Sequence, residues 1–199
     1  MRKYNLITFF LMGSLILHNS WTVSVVSANN AETCSHGYET FHDHYLQSGN
    51  GYKSGTKFYY IGSSVNDVAK GSLADGIRQW DGLANLSIQI TRHKDKAQIR
   101  VSGCSLGYGI NGVTKYSCSM DTNGCPIDDY AYAKIQFDTN KMNSTSLMKK
   151  VAAHEAGHAL GLAHVRSTPS IMWPYSNEAG NFTSSIQGID KRNLRHIYC

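Results

Sequence analysis

The sequence predicts one α/β (α+β) domain built on a single mixed, mostly parallel twisted sheet. Four short segments, at 57–61, 86–90, 97–101 and 132–137, have strand composition or alternate between apolar and polar residues. Helical periodicity lies between and after these segments, and no internal repeat interrupts the order. Strands that alternate with helices favour parallel pairing, with the helices packed on the sheet.

The 199-residue chain begins with a pattern typical of a secretory signal peptide. Arg2 and Lys3 precede an apolar run over 6–17, and small residues end the segment at Ala28. We expect residues 1–28 to be a signal peptide, because the run is shorter than the ~20 residues that span a bilayer. An uncleaved membrane anchor is the alternative. Cleavage implies a secreted, extracellular protein with no stable membrane association.

The charge that remains after this cleavage is small. Loss of residues 1–28 removes two basic residues and no acidic ones, so the formal net charge falls from +5 to +3. Such a mild charge predicts no nucleic-acid partner and no anionic lipid partner. We expect a monomer, because one core of this size is stable without association.

All five cysteines follow the predicted signal peptide, and an oxidising compartment favours disulfides. An odd count leaves one thiol over, and the sequence alone does not select the pairing. The connectivity expected here joins Cys34 to Cys199 and places a second bond within the trio Cys104, Cys118 and Cys125.

The first elements of the domain follow a polar segment. Residues 29–56, rich in glycine and serine near their end, predict a flexible N-terminal lead-in, and the domain itself then spans 57–199. The segment 57–61 (KFYYI) predicts a strand. Over 65–83 the spacing of four apolar residues predicts an amphipathic helix that ends near Gly82: Val68, Leu73, Ile77 and Trp80.

Two alternating strands, 86–90 and 97–101, lead into a long loop over 103–129 that is rich in glycine, cysteine and aspartate. A strand over 113–119 is compatible with this stretch, and another is predicted over 132–137. The loop contains a group of oxygen-bearing side chains that suits Ca²⁺, with a solvated acidic loop as the alternative: Asp121, Asn123, Asp128 and Asp129.

Two more helices complete the domain. A helix is predicted over 146–160, with Ser144 or Ser146 as its N-cap. After two prolines, the spacing of apolar residues predicts a C-terminal helix over 185–197.

The segment HEAGHALGLAH, residues 154–164, begins in the first of these helices and continues past its end. At 3.6 residues per turn, His154 and His158 lie about 40° apart around the axis and one turn apart along it. Both imidazoles therefore reach one point beside the helix, and Glu155 borders that point. Gly161 can adopt the left-handed conformation that ends a helix, which lets His164 turn back as a third ligand. Three protein ligands and an open position are typical of catalytic Zn²⁺.

This segment resembles the HExxHxxGxxH signature of the metzincin zinc peptidases. Residues 170–175 (SIMWPY) are similar to the methionine-containing turn, the Met-turn, that lies beneath the zinc in that clan. The Ala-Leu-Gly-Leu filling between the histidines and the Met-aromatic-Pro order are most similar to matrixins, the matrix-metalloproteinase-like branch. The order of strands and helices agrees with a matrixin catalytic domain over 57–199.

The resemblance implies a zincin-like fold with an active-site helix, a Met-turn and a C-terminal helix. It implies a zinc-dependent endopeptidase that hydrolyses peptide bonds in proteins. His154, His158 and His164 would hold Zn²⁺, and Glu155 would act as general base towards a water that the zinc activates.

The likeness further implies how protein or peptide substrates bind. An extended substrate would lie along an edge strand, for which 112–119 is the candidate. A side-chain pocket near 172–176 would set preference, and Met172 would be a packed floor without coordinating the metal.

The sequence also departs from the matrixin pattern. Val165 follows the third histidine, where matrixins usually have serine. No histidine lies between Lys94 and Ala153, so a second, structural zinc has no imidazole ligands there. The alternative function is a zinc-binding module that is catalytically silent or blocked by a thiol, with Cys34 as one candidate thiol.

Overall fold

The structure is a computed structural model that describes residues 38–41, 44–49, 51–122, 125–178 and 180–198. The predicted signal peptide, Cys34, Asn123 and Cys199 lie outside these ranges. In chain order the elements are β1 (Gly55–Ile61), α1 (Asp67–Ile77), β2 (Leu86–Ile90), β3 (Ile99–Gly103), β4 (Gly112–Tyr116), β5 (Ala133–Phe137), α2 (Thr145–Ala159) and α3 (Gly188–Tyr198).

The five strands form one mixed sheet with the order β2-β1-β3-β5-β4. The pairs β1–β2, β1–β3 and β3–β5 are parallel, whereas β4 runs antiparallel to β5 at the edge. The predicted fold class is therefore confirmed. The segment 112–119 was expected at an edge of the sheet, and its strand part does form an edge.

Alternating side chains divide the sheet into two faces. Tyr59, Ile99 and Ile135 are fully buried on the face that receives α1 and α2, while their sequence neighbours point the other way. The two helices approach closely at Gly76, where an added Cβ would collide with the main-chain oxygen of Lys149. This contact places α2 firmly across the sheet.

The helix predicted over 65–83 is shorter than expected. It begins after Asn66, whose side chain caps Ala69, and gives way at Arg78 to a 3₁₀ turn. Val68, one of the four apolar residues whose spacing predicted this helix, is 78% exposed and does not belong to the buried face. Small residues of α1, Ala69 and Gly76 among them, face the core instead, which is how α2 packs so near.

Part of the predicted lead-in is built into the domain and does not behave as a flexible segment. Phe41 and Leu46 are buried, and the Phe41 N–H donates to the carbonyl of Gly161 at 2.8 Å. The main-chain N–H of Leu46 donates to the hydroxyl oxygen of Tyr198 at 3.1 Å. The segment before β1 therefore closes over the end of α2.

Lys57 is a buried cation without a carboxylate partner among the described residues. Its Nζ donates to the Lys53 carbonyl at 2.8 Å and to Ser48 Oγ at 3.0 Å. Burial lowers the pKa of Lys57 to about 7.

The cysteine pairing differs from the expectation. Cys104 and Cys118 are free thiols, whereas Cys125 is disulfide-bonded. No bond forms within the middle trio, so that part of the predicted connectivity is wrong. The predicted pairing of Cys34 with Cys199 lies outside the described residues. None of the helices within the described ranges is long and apolar enough to cross a membrane.

Candidate active site

The helix that carries the histidines begins and ends as the sequence indicates. Ser144 is the N-cap of α2, and its side chain accepts from the Leu147 N–H at 3.1 Å. Gly161 has φ +99°, a left-handed conformation that ends the helix. A Cβ there would also lie 2.5 Å from the His44 carbonyl oxygen. Both the backbone conformation and this close approach therefore require glycine.

The turn at Gly161 brings three imidazoles together. The Nε2 atom of His158 lies 2.9 Å from that of His154 and 3.2 Å from that of His164. All three residues are buried. They form a cluster of potential metal ligands, and the prediction that these side chains converge agrees with this geometry.

The protein fixes the orientation of two of the rings through the opposite nitrogen. Nδ1 of His154 lies 2.8 Å from the Ile171 carbonyl, and Nδ1 of His158 lies 2.7 Å from the Leu162 carbonyl. A carbonyl only accepts, so each Nδ1 carries the proton and each Nε2 presents a lone pair to the centre of the cluster. Metal-binding histidines are commonly oriented in this way.

The environment also favours the neutral form that binds metal. Burial lowers the pKa of His158 to about 4. Burial, together with the neighbouring His158 and His164, lowers the pKa of His154 well below its usual range. Both rings are therefore uncharged at pH 7.

This donor set fits Zn²⁺. Tetrahedral zinc with bonds of about 2.0–2.1 Å separates its nitrogen ligands by roughly 3.3 Å, close to the separations seen here. Nitrogen lone pairs that face one another without a proton between them repel, and a cation at their centre removes that repulsion. Neither described free thiol, Cys104 nor Cys118, joins the cluster.

The carboxylate of Glu155 is held against the edge strand β4. Its Oε2 accepts from the Thr114 hydroxyl at 2.7 Å, while Oε1 is buried with no hydrogen-bond partner. Gly112 makes room for this group, because a Cβ at that position would lie 2.9 Å from Oε1. Burial raises the pKa of Glu155 to about 8, although the Thr114 hydrogen bond opposes the shift.

The methionine turn packs under the same helix. Met172 is fully buried, and a Cβ on Gly157, which lies between the first two histidines, would collide with its sulfur. The expectation that Met172 forms a packed floor agrees with this contact.

A buried acid on α3 holds this turn in place. One carboxylate oxygen of Asp190 accepts from the Ser170 hydroxyl, and the other accepts from the main-chain N–H of Ile171 at 3.3 Å. Ser170 Oγ in turn accepts from the Met172 N–H at 2.8 Å. The α3 helix therefore positions the floor of the site and, through Ile171, the ring of His154.

Sequence reasoning missed Gly112, Thr114 and Asp190. Each lies far from the histidine segment along the chain, so no local spacing indicates it. The packing of α2 against β4 brings Gly112 and Thr114 to Glu155, and the packing of α3 against the methionine turn gives Asp190 its role.

The described acids of the loop do not form a calcium cluster, and Asn123 lies outside the described residues. Among the described residues, only the three histidines form a metal-ligand cluster. Asp129 lies 3.6 Å from His44 Nδ1, and Asp121 accepts from the Cys125 N–H at 2.9 Å. Each of these two acids therefore interacts with a different group of the protein.

A mixed sheet, a helix with two of three clustered histidines, and a methionine floor together define a metzincin-type domain. The family model described as Matrixin matches residues 63–199, and the chain belongs to the matrixin family.

Several curated proteins are similar to this chain. Metalloendoproteinase 1 of Glycine max is 27% identical over 119 residues, covering 55% of this chain and 39% of that protein. Matrix metalloproteinase-A of Caenorhabditis elegans is 29% identical over 143 residues (68% and 26%), and the hatching enzyme of Paracentrotus lividus is 26% identical over 151 residues (70% and 25%). The matched part of this chain thus spans between a quarter and two fifths of these relatives.

Proposed function

We propose that this chain is a secreted zinc-dependent endopeptidase that hydrolyses peptide bonds in proteins or peptides. The observation that carries the proposal is the convergence of three Nε2 atoms, in which those of His154 and His164 lie 2.9 and 3.2 Å from that of His158, next to a buried carboxylate. Membership of the matrixin family supports it.

In this proposal His154, His158 and His164 hold the zinc as neutral imidazoles. Zinc, when bound, supplies a Lewis acid that polarises the scissile carbonyl and makes water a better nucleophile.

Glu155 is the proposed general base. Its Oε1 has no partner within the described residues, and a buried oxygen of this kind is costly to leave unsatisfied. We infer that Oε1 takes a proton from the attacking water and later delivers it to the departing amine. A pKa of about 8 suits both steps, because the group can lose and gain a proton near neutral pH.

The edge strand β4 is the proposed substrate platform. Its hydrogen bonds to β5 use one side of the strand, and the other side has no strand partner among the described residues. An extended peptide can add there through main-chain hydrogen bonds, which tolerate many sequences. Thr114 and Gly112, on this strand, border Glu155, so an added peptide runs past the base.

Casein cleavage by the purified chain tests the function. We expect activity that is lost with a chelator, restored by Zn²⁺, and abolished in Glu155→Gln. Cleavage that persists at the parent rate in Glu155→Gln would refute the assigned base. Zinc binding without any cleavage would favour the silent module instead.

Export also belongs to the proposal. We propose that residues 1–28 are a signal peptide, that 29–56 lead into the domain, and that 57–199 form the peptidase domain. Sequencing the N-terminus of the protein recovered from culture medium tests the first boundary. A start near residue 29 supports it, whereas an intact N-terminus in the membrane fraction contradicts it.

A further inference from the structure

The sheet face opposite the helices carries a basic pocket that the peptidase site does not use. Its volume is about 350 Å³, and three cationic side chains line it: Lys94, Arg100 and Lys134. Hydroxyl groups surround them, including those of Ser63 and Ser64. No acidic side chain lines the pocket.

Two of these cations, Arg100 and Lys134, belong to a row of basic side chains that crosses three strands. Arg100 on β3 is the register partner of Lys134 on β5, and Lys134 is the partner of Lys115 on β4. Neighbouring strands are about 4.8 Å apart, so this row extends over roughly 10 Å. Like charges directly opposite one another on a sheet are destabilising, which makes the arrangement costly without a counter-charge.

The protein does not supply that counter-charge within its described residues. None of the ion pairs there involves Lys94, Arg100, Lys115 or Lys134. Arg100 instead stacks on the ring of Tyr132, with its guanidinium 3.7 Å from the ring centroid, and donates to the Ala97 carbonyl at 3.0 Å. These contacts hold the guanidinium at the pocket while leaving its charge unbalanced.

We propose that this face binds a sulfated polysaccharide, with one sulfate group in the pocket and further sulfates along the row towards Lys115. Sulfate is an acceptor-only group, and the pocket offers cations and hydroxyl donors. A polymer with regularly repeated sulfates can neutralise a row of cations on successive strands. A nucleic acid fits less well, because the ring of Tyr132, which lines the pocket, already stacks with Arg100 and is not open to a base.

The bound polymer would leave the peptidase cleft open. Lys115 and Thr114 are neighbours on β4, but Thr114 is buried against Glu155 whereas Lys115 is exposed on the opposite face. The site would therefore anchor the protein to an anionic matrix without covering the catalytic centre.

Heparin is the probe that tests the proposal, and desulfated heparin and single-stranded DNA are the comparison ligands. The test variant is Lys94→Gln/Lys134→Gln in the full chain. The matched control is Lys53→Gln/Lys191→Gln, which removes the same charge from the segment before β1 and from α3. Binding is measured at ~0.15 M NaCl, where charges farther apart than about 8 Å are screened. The readout is independent of peptidase activity.

We expect the parent to bind heparin but not desulfated heparin, and to bind DNA more weakly than heparin. The pocket variant should bind heparin about tenfold more weakly, because two exposed ion pairs with sulfate groups are lost. The control should stay within about twofold, because screening limits the effect of distant charges. Equal losses in both variants would show that net charge alone acts, and would overturn the proposal. Tighter binding to DNA than to heparin, or no binding to heparin, would overturn it too.

Discussion

Thr114→Val removes the hydroxyl that holds the proposed general base and keeps the shape of the side chain. The Thr114 Oγ1 lies 2.7 Å from Glu155 Oε2 and 3.1 Å from the main-chain oxygen of the same residue. Thr114 is 1% exposed, so water cannot replace the lost donor without rearrangement.

The size of the effect follows from the charge of the acceptor. Burial raises the pKa of Glu155 to about 8, and the Thr114 hydrogen bond limits that rise. A hydrogen bond to a charged group contributes about 1.5–3 kcal/mol, and one pH unit corresponds to about 1.4 kcal/mol. Loss of the hydroxyl should raise the pKa by roughly one to two units. The ionised base at pH 7, and with it kcat/KM, should fall about 10- to 100-fold.

The assay is the pH profile of kcat/KM on a fluorogenic peptide. For Thr114→Val we expect the acidic limb to move to higher pH, with a much smaller loss on the alkaline side. Thr114→Ser keeps the hydroxyl donor, so its acidic limb should lie at the same pH as that of the parent. An unshifted limb, or a loss that is equal at all pH values and is not rescued by serine, would refute the reasoning.

Three further predictions concern the site and its support. Glu155→Gln should keep the zinc but lower kcat about 10²- to 10⁴-fold, as steady-state kinetics with metal analysis will show; full activity would contradict it. Gly157→Ala should destabilise the fold by about 1–3 kcal/mol, because the new Cβ meets Met172 and Trp80. An unchanged Tm in thermal unfolding would oppose this. Burial lowers the pKa of Lys57 to about 7, so between that pH and ~10.5 the unfolded chain binds more protons and stability rises with pH. In Lys57→Met, the free energy of unfolding measured with urea should no longer rise with pH over this range. A rise that persists in this variant would show that Lys57 is not its cause.

The local parts of the fold could be predicted because their signals are local. The spacing of His154, Gly161 and His164 indicated both the helix and its sharp end, and the φ of +99° at Gly161 agrees. Alternation predicted β2 with the bounds that the structure shows, because Leu86 and Ile88 face the core while the residues after each of them do not.

Other features depended on contacts that no spacing reveals. Val68 matches helical periodicity, yet small residues face the core because α2 needs a close approach at Gly76. Phe41 lies in a polar segment, but its docking against the turn at Gly161 is a long-range contact. Asp190 shows nothing unusual in the sequence, and its role emerges only where α3 meets the methionine turn.

Metal content of defined variants tests the central claim most directly. After loading with Zn²⁺ and removal of free metal, the parent and Glu155→Gln should each retain one zinc per chain. The double variant His154→Ala/His158→Ala should retain almost none, whereas His93→Ala, an exposed histidine outside the cluster, should behave as the parent. Full retention by the double variant, or no retention by the parent, would contradict the account.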